Sequence, residues 1–324
     1  MGGLWVVGEP TAEGSLARIS TEVATLARHL GDQAGEDVVG VVAAADPTNA
    51  ATELARYVPR VLTVADAGAS DYAWATIAAE RIAVLAEAAV PSCILVGAGP
   101  DGRDVAGVLS ALLGWGVLAN ATAVTWAGGP HVEMSVFGGR LLTTSGFRSE
   151  HGIVTVRPNV VAAEPAAAVG IVEPAPAPGE PTLPRVRVME RIEQAEAAAP
   201  IEEARVIVSG GRGIGGPEGF GLVQELADAL GGAVGATRAA VDAGWINYNQ
   251  QIGQTGKIVR PQLYLALGIS GAIQHKVGMQ TADTIVAVNR DPDAPIGEFA
   301  DLLVVADLFD VVPAVLSELR ARAG

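Results

Sequence analysis

Apolar residues in this chain gather in short unbroken runs, and the segments between them carry apolar positions three and four apart. In the first half the runs fall at 4–8, 38–43, 61–64 and 92–96, and the helical spacing at 14–30, 49–57, 71–88 and 103–113. A run that is apolar at every position suits a strand buried on both faces. The alternation therefore predicts a parallel sheet covered by helices on both sides. Three runs at 121–126, 131–136 and 153–156 look different: they are short, alternate with polar residues and are separated by glycines. They predict antiparallel strands extending the sheet. Seven prolines between residues 158 and 184 remove backbone donors and disfavour helix, which predicts extended chain and a domain boundary near 185–203. A second alternation follows, with strands expected at 205–208, 233–235, 263–267, 284–288 and 302–305 and helices at 217–230, 271–276 and 308–321. The expected class is α/β in two domains, 1–190 and 191–324, the second a compact doubly wound parallel sheet.

Composition narrows the function. Half of the 324 residues are hydrophobic, only 4% are aromatic and 40 are glycine, as suits small-residue packing of helices on parallel strands. A formal net charge of −15 works against nucleic acid and against anionic lipid, both of which demand clustered lysine and arginine. The single cysteine, Cys93, sits inside an apolar run; within one chain it offers neither a disulfide nor a cysteine metal site, and it reads as a small buried side chain. The four histidines are not grouped at metal-ligand spacing, and no G-x-S-x-G hydrolase elbow occurs. No run is long enough to span a membrane and the chain opens on a short strand, so a soluble cytoplasmic protein without membrane insertion is expected.

Polar chemistry concentrates where the second set of strands ends. The run 263–267 empties into Gly268-Ile269-Ser270-Gly271-Ala272-Ile273-Gln274-His275. Glycines at a strand end let backbone N–H groups approach a ligand, and a helix starting there favours a phosphate. Gln274 and His275 in the first helical turn suit a nucleotide cofactor whose ring is tuned as well as held; the plainer alternative for His275 is a core histidine bonded to backbone. Gly211-Arg212-Gly213-Ile214-Gly215-Gly216 fits the G-x-G-x-x-G spacing of dinucleotide-binding folds, after a strand and before a helix. The next strand, however, runs on into Ala236-Thr237-Arg238 without a carboxylate for an adenosine ribose, which counts against NAD. Arg212 points rather to a pyrophosphate or another anion. Arg238 lies just past a strand end, where it either places a fixed cation beside a ligand or pairs with Asp242 as an exposed ion pair. The loop Gln251-Ile252-Gly253-Gln254-Thr255-Gly256-Lys257 offers amides and a hydroxyl to a ligand edge, or is an ordinary surface loop. Asn289 and Asp307 end strands on the same edge, although both residue types also cap helices and form Asx-turns.

Leu263-Tyr264, Gly268-Ile269-Ser270-Gly271, Ile273-Gln274-His275, Gly278 and Ala287-Val288-Asn289 match, at the same spacing, the pattern of electron-transfer flavoprotein α subunits. The chain resembles that family throughout in outline and over 205–320 in detail. The resemblance implies two Rossmann-like domains, the N-terminal one packing on a β subunit and the C-terminal one binding FAD in extended form. It implies that Arg238, preceded by the hydroxyl of Thr237, lies against the flavin ring and favours its reduced, negatively charged forms. Ile252, Gly253, Gln254 and Thr255 would line the flavin edge, with Thr255 bonding near N5. His275 would donate near the N1–C2 carbonyl. Arg212 and the junction Ser270, Gly271, Ala272, Ile273, Gln274 and His275 would hold pyrophosphate and ribityl, and Asn289, Asp307 and Leu308 the AMP half. Gly102-Arg103-Asp104 would be structural. The implied function is an electron carrier without its own substrate turnover site. It would take electrons from flavin dehydrogenases, typically acyl-CoA dehydrogenases, and pass them to a membrane quinone oxidoreductase. Two other classes stand beside it: a non-redox nucleotide-binding scaffold or regulatory subunit, and an NAD-dependent dehydrogenase or transhydrogenase.

Overall fold

The computed structural model describes residues 2–136, 141–176, 183–190 and 201–323. The chain forms two units, Met1–Ile192 and Glu193–Gly324, each with its own sheet. In the first, β1 (Leu4–Val7), β2 (Val38–Ala44), β3 (Arg60–Ala65) and β4 (Cys93–Gly97) run parallel. They are linked by α1 (Arg18–Ala34), α2 (Thr48–Leu54) and α3 (Trp74–Ala89), and α4 (Pro100–Leu113) follows β4. Every β1 side chain is buried because the strand serves two cores. Leu4 and Val6 meet Val23 and Leu30 of α1 and Leu54 of α2, while Trp5 and Val7 meet Ile82 of α3 and Leu109 of α4. That is why the run shows no polar alternation. Cys93 belongs to the first core, and burial pushes its thiol up to about 12, which leaves it inert. Arg103 donates to the Ala98 carbonyl at 2.8 Å, a local structural bond.

Helix α1 starts later than its spacing predicts, because Pro10 and Leu16 first close a small antiparallel bridge around Gly14. A larger correction concerns β8 (Gly152–Val156). It lies parallel between β4 and β5 (Gly116–Trp126) and is not an antiparallel extension. All five of its residues are buried, as an interior slot between parallel strands requires. The antiparallel extension consists of β6 (Pro130–Val136) paired to β5, and β7 (Leu141–Ser145) paired to β6. The polar Thr143-Thr144-Ser145 hides β7 from an apolar pattern. The proline-rich run contributes β9 (Ile171–Pro174), which pairs with β3 at the end of the sheet, an edge that tolerates proline's missing donor. Segment 183–190 then returns to this unit. Arg185 reaches Asp66 at 3.0 Å, and Arg81 meets the same carboxylate at 2.7 Å. Burial pushes the Asp66 carboxyl up, but hydrogen bonds from Arg81 and Arg185 outweigh it and hold the group below the usual range.

The second unit contains β10 (Val206–Gly210), β11 (Ala233–Ala236), β12 (Leu263–Leu267), β13 (Thr284–Asn289) and β14 (Leu302–Val305), all parallel, in the order β11-β10-β12-β13-β14. Its helices are α5 (Phe220–Ala229), the short α6 (Arg238–Asp242), α7 (Ile273–Met279) and α8 (Leu308–Ala323). Val223 of α5 and Val312 and Leu316 of α8 cover one face; Met279 of α7, with Ile252 and Val259 from the preceding loop, covers the other. Strand order reverses between β10 and β12, so their connections leave on opposite faces and open a crevice at the carboxyl ends. In doubly wound sheets that crevice is where ligands bind.

Among the described residues, no helix is long and apolar enough to cross a membrane.

Candidate functional site

Two glycine loops cross in the crevice. After β10 the chain turns through Gly211, Arg212 and Gly213; after β12 it turns at Gly268, whose φ is +61°. The Gly211 N–H donates to the Leu267 carbonyl and the Gly213 N–H to the Gly268 carbonyl, each at 2.9 Å. A β-carbon on Gly213 would lie 2.7 Å from the Cα of Gly268, so backbone meets backbone and no side chain fits. This is not the direct strand-turn-helix of the dinucleotide fingerprint. Two 3₁₀ turns, Arg212–Ile214 and Pro217–Gly219, intervene before α5.

Beside the loops lies a cleft of about 860 Å³, within the range of small-molecule sites. Five separate stretches build its wall: Arg212 and Gly213; Thr237, Arg238, Ala239 and Asp242; Ile252 to Thr255; Gly268, Ile269, Ser270, Ala272, Gln274 and His275; and Asn289, Asp291, Ala294 and Pro295. Gly213, Gly268 and Ile269 belong to the glycine runs that the sequence singles out; Ala239, Asp242, Asp291, Ala294 and Pro295 are additions to the ligand residues expected from it. Asp242 carried a signal, its four-residue spacing from Arg238; Asp291, Ala294 and Pro295 reach the wall only because the chain folds back after β13.

The Thr237 hydroxyl is buried and has no hydrogen-bond partner among the described residues. Leaving such a group unpaired costs about 1–3 kcal/mol, so its position in a cleft wall points to a ligand partner. Arg238 is exposed and donates through Nε to Asp242 Oδ2 at 3.1 Å. On the neighbouring stretch, Gly253 has φ +141°, and a β-carbon there would stand 2.8 Å from the Gln274 carbonyl. The Gln254 N–H donates to that same carbonyl at 2.7 Å, seating the loop on the start of α7. Thr255 is held at both ends: its hydroxyl accepts from Gln251 Nε2 at 3.1 Å and its carbonyl accepts from the Tyr248 hydroxyl at 2.8 Å. A hydroxyl that accepts there keeps its own proton to donate.

The role expected of the His275 ring needs correction. Its Nδ1 lies 3.1 Å from the Ile252 carbonyl and its Nε2 2.9 Å from the Tyr264 hydroxyl. A carbonyl only accepts, so Nδ1 carries the proton, and in the neutral ring Nε2 accepts from the tyrosine. Burial lowers the imidazole pKa to about 4 and pushes the Tyr264 phenol well above its usual range. His275 is therefore neutral, with both nitrogens engaged inside the chain. It braces the Ile252–Thr255 loop and holds no spare N–H for a flavin carbonyl.

Asn289 is likewise a brace: Nδ2 donates to the Ile269 carbonyl at 2.9 Å and Oδ1 accepts from the Asp291 N–H at 3.0 Å. Four expected residues lie outside the wall. Gly271, at φ +86°, is buried against Ile296, and Ile273 projects into solvent at the first position of α7. Asp307 caps α8 through the Phe309 N–H at 3.0 Å and pairs with Arg290. The backbone bond, with help from Arg290, holds its carboxyl below the usual range. Leu308 is a core side chain, packed with Val312 and Leu316.

Comparison with known proteins gives this cleft a context. Residues 4–184 match the electron transfer flavoprotein domain, and residues 200–280 match the electron transfer flavoprotein FAD-binding domain. An electron transfer flavoprotein subunit alpha of Mycobacterium leprae is 43% identical over 316 residues, covering 96% of each chain. One from Mycobacterium tuberculosis is 44% identical over 314 residues, covering 97% of each. One from Bacillus subtilis is 35% identical over 319 residues, covering 97% of this chain and 96% of that one.

Proposed function

This chain belongs to the electron transfer flavoprotein family as an α subunit, and from that premise we propose that it carries electrons on an FAD held in the cleft of its second unit. Bound FAD supplies the electron acceptance and release; the chain supplies position and electrostatics. The wall residues fit such a ligand. Arg212 and the amides of the crossed glycine loops suit a pyrophosphate. The unpartnered Thr237 hydroxyl and the proton of Thr255 offer hydrogen bonds, and Arg238 offers positive charge to a ring that becomes negative on reduction. With His275 neutral, that positive charge rests on Arg238. Asn289 braces the loop at the adenosine end, with Asp307 capping the adjoining helix.

The protein acts in a heterodimer with a β subunit. It receives electrons from flavin dehydrogenases such as acyl-CoA dehydrogenases and delivers them to a membrane quinone oxidoreductase, with no substrate turnover site of its own. The juxtaposition of Thr237, Arg238 and Thr255 on one wall carries this reading. Its test is a reductive titration of the heterodimer. Wild type is expected to hold FAD, and Arg238→Ala to lower the FAD midpoint potential, by roughly 1–2 kcal/mol per electron for one partly solvated charge. An unchanged potential in the FAD-loaded variant removes Arg238 from this role, and a heterodimer that takes up no FAD overturns the reading.

A further inference from the structure

Asp242 shares the cleft wall with Arg238, one helical turn away on the same face of α6. Its Oδ2 accepts from the inner donor of the guanidinium, Nε, at 3.1 Å, which leaves both terminal amino groups of Arg238 available to a ligand. Both side chains are well exposed, 65% for Arg238 and 62% for Asp242, and an i,i+4 ion pair in such a setting adds little to stability. Helix capping does not explain the carboxylate either, since Asp242 is the last residue of α6, where the exposed carbonyls disfavour a negative charge, and Ala243 is its C-cap. A negative charge on a wall that must receive pyrophosphate and a ring gaining negative charge works against binding both. Its placement makes physical sense if its task is to limit the field of the arginine.

We propose that Asp242 is the counter-ion of Arg238, holding the guanidinium by Nε and offsetting part of its charge, so that it sets how strongly FAD in this cleft attracts electrons. This rests on the FAD reading above. An arginine alone presents a net charge to the ring; an arginine with its carboxylate presents a dipole, whose field falls off faster with distance. Asparagine at 242 keeps an oxygen to accept from Nε but removes the charge, whereas glutamate keeps the charge.

The test is spectroelectrochemical titration of the FAD-loaded heterodimer in four forms: wild type, Arg238→Ala, Asp242→Asn and Asp242→Glu. Asp242→Asn is expected to raise the midpoint potential, opposite in sign to Arg238→Ala. At a fixed ambient potential this shifts the oxidised-to-reduced ratio by roughly two- to fivefold, the scale of an exposed charge pair. Asp242→Glu is expected to stay near wild type, which separates charge from shape. A potential unchanged or lowered in Asp242→Asn, while Arg238→Ala still lowers it, overturns the proposal and leaves the FAD reading standing. No response to Arg238→Ala removes Arg238 from its role and overturns the proposal with it, whereas only a heterodimer that takes up no FAD overturns the FAD reading as well. Should Asp242→Asn load FAD poorly, Asp242→Ser in the same titration decides, with the same sign expected.

Discussion

Between about pH 6.5 and pH 4 the imidazole of His275 takes up a proton in the unfolded chain but not in the folded one, because burial holds its folded pKa at about 4. The sign follows. Above about pH 6.5 the ring is neutral in both states and the group makes stability independent of pH. As pH falls through the window the unfolded state binds more protons, and the second unit loses up to about 1.4 kcal/mol of stability per pH unit. Hydrogen exchange of the β12 amides, followed from pH 7 to pH 5, checks this: protection is expected to fall more steeply in wild type than in His275→Gln. Equal slopes would mean that the ring is not held neutral. At this scale the sequence left two meanings for His275 open, tuned donor or core brace. The choice lies in Tyr264 and Ile252, eleven and twenty-three positions away in the chain, whose polar atoms occupy both ring nitrogens.

At the scale of elements, the crossing of the loops after β10 and β12 is the feature most sensitive to substitution. Gly268→Ala must hold an L-residue at φ +61° and place a β-carbon 2.8 Å from the Gly213 backbone. A destabilisation of about 2–4 kcal/mol with loss of FAD loading is expected, since left-handed strain and backbone overlap add. Gly221→Ala, in α5 with nothing within 4 Å of the added carbon, is expected to stabilise by up to about 1 kcal/mol and to leave FAD loading unchanged. Thermal unfolding with flavin absorbance reads both variants. Long elements were legible because alternate residues of a strand such as β1 feed opposite cores, leaving an unbroken apolar run. Helix α6 was not, since five residues are too few to show a helical period. Nor was the direction of β8: a buried strand looks the same read parallel or antiparallel.

At the scale of the molecule, each of the two units carries its own core, so damage in one is expected to stay there. Asp66 is the place to test this. It is nearly buried and holds both Arg81 and Arg185, the latter returning on segment 183–190 after the proline-rich run. Asp66→Ala leaves two guanidinium groups without their shared carboxylate and is expected to destabilise the first unit by about 3–5 kcal/mol. Hydrogen exchange should report faster opening of β1 to β4, while titration of the heterodimer with FAD shows unchanged affinity. A loss of FAD affinity would mean that the units do not behave independently.

The sequence by itself determined the class of each long element, the alternation that makes both units α/β, and the glycine spacing and strand-end polar residues that mark the second unit's crevice. These are local properties: apolar periodicity records which side of each residue is buried, and glycine spacing records where no β-carbon fits. Tertiary structure alone decided that β8 enters the sheet parallel, that His275 is neutral, that Leu308 packs in the core, and that Asp242 and Asp291 join Arg212 and Arg238 around one cleft. Each of those depends on contacts between stretches far apart in the chain. Burial, proton position and charge pairing are set by neighbours in space, which no local pattern records.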